Sequence, residues 1–119
     1  AIGGLSALYH YNLAEQVPGE IWMMVPPEKR TRENGYRLIR TKTSLDKQII
    51  DEKGYRIVTV ERAALEALKF ITKVGERTAI KAAREALATR RTTEAKLAKA
   101  ARELELESVL AKYLEVIVP

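Results

Sequence analysis

Apolar positions change period several times along this chain, most sharply between residues 54 and 70. Ile57 and Val58 are adjacent β-branched residues, suited to a buried pleated surface. Beyond Thr59 the apolar residues recur at helical spacing, as Val60, Ala64, Leu68 (beside Ala67) and Ile71. Thr59 stands at the change of period, where its hydroxyl would cap the first free amides of a helix, and Glu61 suits the dipole of the first turn. Arg62, Glu66, Lys69 and Lys73 fall on the opposite side as a polar stripe, spaced for weak surface pairs. The pattern predicts a buried strand running straight into a capped helix, as scaffold with no chemistry of its own.

The same reading extends to both ends. Residues 4–15 show a helical pattern through Leu5, Leu8, Tyr9 and Leu13, broken by Val17-Pro18-Gly19. Residues 20–25 are apolar on both faces, a strand expected to be covered on both sides, ended by Pro26-Pro27. A polar loop with the turn signal Asn34-Gly35 leads to a second strand at 36–41, expected to pair with the first as a hairpin. Residues 43–52 fit either a short helix or an irregular arm, and Lys53-Gly54 is a turn. After Gly75 three helical patterns follow, at 76–88, 94–105 and 107–116, with Thr92 or Thr93 available as a cap. Whether the last two are one helix or two is open.

These elements imply an α+β chain: a small, mostly antiparallel sheet of about three strands packed against helices, with an all-helical C-terminal half. At 119 residues it reads as one domain, 1–119, with a helix-and-sheet part at 1–60 and a helical part at 61–119. There is no cysteine, hence no disulfide, thiolate metal site or cysteine nucleophile. No apolar run approaches the roughly 20 residues that span a membrane, and no signal peptide is evident, so a cytoplasmic setting without membrane contact is expected.

The net charge of +5 is unevenly spread. Between residues 28 and 47 seven basic side chains face three acidic ones, an excess of four. Lys29, Arg30, Arg32, Arg37 and Arg40 form the candidate phosphate-binding group in this span. Arg90 and Arg91, with Arg84, Lys96 and Lys99 nearby, form a second group at a helical junction. The alternatives are a solvated loop that guards a sheet edge against unwanted pairing and a solvated helical turn.

Catalytic constellations are weak. His10 is the only histidine and lies on a predicted helix; Ser6, Ser44 and Ser108 lack a glycine-flanked elbow. No phosphate-binding glycine loop is present. Asp46, Asp51 and Glu61 are the carboxylates to weigh for a metal-dependent nuclease. Trp22, Tyr36 and Tyr55, on predicted strands, are candidates for base stacking or for packing. Neither a catalytic residue nor a metal or cofactor is expected.

The motifs also carry a resemblance. Val58, Thr59, Glu61, Arg62, Ala63, Glu66 and Leu68 resemble the signature region of AbiEi-type abortive-infection antitoxins, the antitoxin halves of type IV toxin–antitoxin pairs. Leu5-Ser6-Ala7-Leu8 resembles that family's Ser-Ala-Leu helix, although Tyr11-Asn12-Leu13 stands where the family has His-Gly-Leu. Residues 20–26 resemble the strand that follows. The match covers most of the chain in order, through short motifs. The resemblance implies a non-enzymatic antitoxin and transcriptional regulator that neutralises a nucleotidyltransferase-like toxin, with a winged helix ahead of this region as the main DNA reader. Operator DNA is then a partner of the full-length protein; the toxin is linked functionally, with direct contact and self-association left open. A stand-alone nucleic-acid-binding module is the alternative, and a nuclease-like enzyme a more distant one.

Overall fold

The computed structural model describes residues 1–31 and 33–119. Its centre is the predicted strand-to-helix stretch. Strand β4 occupies Tyr55–Val58 and helix α2 Val60–Lys69, with only Thr59 between them. Thr59 has extended backbone angles, and its hydroxyl accepts the Arg62 amide at 3.1 Å. A cap of this kind is worth about 1 kcal/mol. The helix is interrupted at Phe70, and a single turn, α3 (Ile71–Val74), precedes Gly75.

Every residue of α2 from Arg62 to Leu68 is buried. The helix touches β4, a first helix α1 (Gly4–His10), α4 (Glu76–Ala88), α5 (Glu94–Leu104) and α6 (Glu107–Ile117). Close approach is possible because alanines line the contacts: Ala63, Ala64 and Ala67 on α2, Ala79, Ala82, Ala83 and Ala86 on α4, and Ala100 and Ala101 on α5. The helical C-terminal half matches its sequence pattern. The last two segments are separate helices, parted at Glu105 in the left-handed conformation (φ 58°). Thr93 caps α5 by accepting the Lys96 amide at 3.2 Å.

The α+β class holds, but the sheet is larger and differently wired than the pattern suggested. There are four strands among the described residues, not three: β1 (Ile21–Val25), β2 (Tyr36–Arg40), β3 (Ile49–Glu52) and β4. Residues 43–52 are thus an irregular arm that becomes a strand. The expected hairpin of β1 and β2 is absent. The two strands run parallel, from Ile21 opposite Tyr36 to Val25 opposite Arg40. Strands of five residues are short enough for the ten residues between them to carry the chain back to the start of β1, so the turn signal at Asn34-Gly35 closes no hairpin. The hairpin is instead β3–β4, closed at Lys53-Gly54 with Gly54 at φ 89°.

Residues 1–3 join the two ribbons. Ile2 bridges Met23 antiparallel and Ile57 parallel. The Ile2 amide donates to Arg56 O at 2.8 Å, and Val58 donates back to Ile2 O at 3.0 Å. Gly3 donates to Trp22 O at 3.0 Å on the other side. The order across the sheet is therefore β2, β1, residues 1–3, β4, β3. Successive side chains alternate between faces, so Trp22, Met24, Ile39 and Val58 point into the helix-covered core, where all four are buried.

Helix α1 ends at His10, earlier than its pattern suggested. Asn12 at φ 59° turns the chain, and Leu13 N bonds to Leu8 O at 2.8 Å. Asparagine is among the few residues that tolerate this left-handed conformation. Ser6 anchors α1 to the sheet: its hydroxyl accepts the Trp22 amide at 2.8 Å.

Candidate nucleic-acid interface

Each basic residue singled out from the sequence has a definite place, Arg32 excepted, which lies outside the described residues. Lys29 and Arg30 sit in the exposed segment between β1 and β2. The Lys29 amide closes a turn on Pro26 O at 3.1 Å. The Arg30 guanidinium donates to Pro27 O and to Lys29 O, both at 3.0 Å, which folds this segment on itself. Arg37 and Arg40 lie on β2, the outermost strand, and both are exposed. The Arg37 guanidinium carbon lies over the Trp22 ring, 4.3 Å from its centroid. That contact orders a long side chain while its donors stay free for a ligand. Lys29 and Arg30 thus follow the end of β1, while Arg37 and Arg40 lie on the neighbouring edge strand and, by side-chain alternation, on opposite faces of it.

Arg90 and Arg91 belong to a different element, the turn between α4 and α5. Arg90 has φ 58°, and its amide closes the turn on Leu87 O at 3.1 Å. Arg91 donates to Tyr11 O at 2.7 Å and covers the Tyr11 ring at 5.8 Å. Its guanidinium therefore already ties the helical half to the end of α1. Of the other residues at this junction, Arg84 belongs with Arg77 and Lys81 along the outer side of α4, beside an open groove of about 760 Å³. Arg77 and Lys81 were not singled out from the sequence, although their spacing with Arg84 places them on one face of a helix.

The polar stripe on α2 requires correction. Lys69 and Lys73 are exposed, but Arg62 and Glu66 have relative exposures of 0% and 2%. Arg62 Nε lies 3.1 Å from Glu66 Oε1. Nη1 reaches out of the helix and donates to Ser44 O at 2.6 Å and to Lys47 O at 2.8 Å. Arg62 thereby clamps the arm that connects β2 to β3. Gln48, in the left-handed conformation, completes the attachment by accepting the Thr59 hydroxyl at 2.7 Å and donating to Glu103 on α5 at 2.6 Å.

The Arg62–Glu66 pair is close but not well aligned. Nε and Oε1 make no hydrogen bond of good geometry, and Arg62 Nη2 and Glu66 Oε2 have no partner among the described residues. Desolvation consequently outweighs the attraction. Burial pushes the Glu66 carboxyl above its ordinary value of 4.5, with the Arg62 charge pulling the other way. Because the folded-state value is raised, this group contributes stability that is fully present below 4.5 and is lost as pH rises through the folded value. Replacing Glu66 with Gln removes that contribution. In thermal melts, the stability of Glu66→Gln relative to the parent chain is expected to increase as pH rises above 4.5 and to level off once Glu66 of the folded parent is ionised.

The carboxylates weighed for metal chemistry have other occupations. Asp51 and Asp46 both turn to the Arg56 guanidinium, at 2.8 and 3.5 Å, in exposed ion pairs. Glu61 lies in the first turn of α2. Among the described residues no group of three histidine or carboxylate side chains is placed to hold a metal ion. Of the aromatics weighed for stacking, Trp22 is buried in the core, whereas Tyr36 and Tyr55 are exposed at 39% and 42%. His10 lies exposed at the end of α1 with its ring edge-on to Tyr11. No helix among the described residues is long and apolar enough to cross a membrane.

No protein-family model matches the chain, and no curated protein matches it.

Proposed function

We propose that this chain is the non-enzymatic antitoxin and regulatory region of a type IV toxin–antitoxin pair, similar to the AbiEi antitoxins. It neutralises a nucleotidyltransferase-like toxin in the cytoplasm. It also assists repression of its own operon by holding DNA phosphates through Lys29, Arg30, Arg37 and Arg40. The observation that carries the proposal is that these four cations are all exposed, two on the edge strand β2 and two in the segment that leads to it. Phosphate contacts of this kind position a protein on DNA without reading sequence, which suits an accessory surface beside a sequence-reading domain.

The motifs behind the resemblance support it by having structural work. Thr59 caps α2, Arg62 clamps the arm, and Ala63 and Leu68 are core residues. Ser6 fastens α1 to β1, and Leu5, Ala7 and Leu8 are buried. Asn12, at the position where the family has glycine, adopts the left-handed conformation that a glycine would take most readily.

Co-expression with a nucleotidyltransferase-like toxin encoded beside its gene tests the proposal. Restored growth is expected, and persistent arrest despite soluble expression overturns it. The alternative, a nucleic-acid-binding module acting alone, makes its own forecast in a salt series. Four phosphate contacts give a slope of about −3.6 in log K against log salt. Arg37→Ala and Arg40→Ala are each expected to flatten that slope by about 1 and to weaken binding equally for all duplex sequences. Strong, steeply salt-dependent binding by this chain without toxin neutralisation favours the module.

A further inference from the structure

Helix α4 turns its alanines into the core and leaves a polar arc outside. At 3.6 residues per turn that arc runs from Glu76 through Ile80, Arg84, Arg77, Ala88 and Lys81 to Glu85. All are exposed except Ile80, which is half-buried. Arg77 and Arg84 stand in the middle of the arc, with Glu76 and Glu85 at its two margins. The two arginines are two turns apart, about 10 Å along the helix. Neither makes an ion pair among the described residues, whereas Lys81 beside them lies 3.4 Å from Glu15. With Pro119, just beyond α6, this arc lines the open groove of about 760 Å³. The groove therefore holds two unpaired guanidiniums together with apolar Ile80, Ala88 and Pro119.

We propose that this groove docks an acidic amphipathic helix of a different protein, laid along α4. Helices held in grooves are read through anchors spaced i, i+3, i+4 and i+7. Arg77, Ile80, Lys81 and Arg84 present that spacing from the receiving side. The matching helix carries two carboxylates a heptad apart and apolar side chains between them. Each arginine meets a carboxylate through parallel N–H bonds, a geometry that a guanidinium fork favours. Ile80, Ala88 and Pro119 receive the apolar side chains, and their burial supplies most of the affinity. The exposed ion pairs add less and set the orientation. Charge selects this occupant over two others. A second copy lacks the acids, because no two of the 16 acidic residues in this chain stand seven apart. A nucleic-acid strand laid along α4 meets repulsion from Glu76 and Glu85 at both margins of the arc. The proposal does not rest on the antitoxin reading and uses none of the four cations assigned there to phosphate.

A displayed library of helical peptides tests the proposal, sorted against this chain and against the double variant Arg77→Glu with Arg84→Glu. Peptides held by the parent and lost on the double variant are expected to carry two acids a heptad apart with apolar residues between them. One such peptide, made synthetically, is then titrated by fluorescence anisotropy. Arg77→Glu and Arg84→Glu each weaken its binding about fivefold, and Ile80→Asp weakens it about tenfold, with the circular dichroism of every variant unchanged. Exchanging the peptide's acids for lysines abolishes binding to the parent and restores it on the double variant. A library that enriches nothing, enriched peptides without the paired acids, or a lysine peptide that gains nothing on the double variant overturns the proposal. So does duplex DNA that displaces the peptide, which assigns the groove to nucleic acid, or self-association abolished by Arg84→Glu, which assigns it to a second copy.

Discussion

Arg62→Ala is expected to cost about 3–5 kcal/mol of folding stability, the usual cost of stripping one partner from a buried ion pair. The substitution leaves the Glu66 carboxyl buried in the core without the charge that offsets its desolvation. It also releases the Ser44 and Lys47 carbonyls, so the arm between β2 and β3 loses its attachment to α2. Much of the stability of a domain this size is at stake, since natural domains hold only about 5–15 kcal/mol. Urea denaturation measures the loss. Glu66 alone should be more forgiving, because its replacement by Gln leaves Arg62 bound to both carbonyls. A variant with Arg62→Ala that melted within about 1 kcal/mol of the parent would show that the pair is not structural.

Gly4→Ala is expected to be nearly as damaging. Gly4 has φ +52°, and a Cβ added there meets the ring of Trp22 at Cε3 and Cδ2. The left-handed conformation costs a non-glycine residue roughly 1–2 kcal/mol. Forcing a ring aside in a packed core adds about 1–3 kcal/mol. A combined loss of about 2–5 kcal/mol follows. Trp22 is the only tryptophan, so its fluorescence reports the local effect directly. A red-shifted emission with an early unfolding midpoint is the expected result. Unchanged emission and an unchanged midpoint would mean that α1 does not press on β1 as described.

These two sites also divide what was legible in the sequence from what was not. The stretch from Tyr55 to Lys69 could be read because its signals are local: a β-branched pair, a hydroxyl at the change of period, and an acid in the first turn. The helices after Gly75 were legible for the same reason. The parallel pairing of β1 and β2 was not, because strand partners are chosen by the whole sheet while Asn34-Gly35 speaks only for its own turn. Nor was the bridging role of Ile2, since three residues are too few to show a period.

Arg62 and Glu66 were misread for a related reason. A helical wheel sorts residues by polarity, and these two share a side with Lys69 and Lys73. The wheel cannot show that the arm and α5 fold over the first half of that side and leave the second half in water. Of the candidate site, the cluster of cations was legible as a count of charges. Its geometry depended on the strand order that placed β2 at the edge. Arg91 looked like its companions in the sequence but is bonded to Tyr11.

The central claim is that the stretch carrying the resemblance is scaffold and that activity belongs to the surface. The double variant Arg62→Met with Glu66→Leu tests it most directly, since replacing both members of a buried ion pair by apolar residues of similar size is often close to neutral for stability. Growth rescue in co-expression with the toxin is the quantity to measure, alongside a melting curve to establish folding. Rescue by the folded double variant at the level of the parent chain is the predicted result. A double variant that folds and yet fails to rescue would contradict it, and would assign the buried pair itself to the activity.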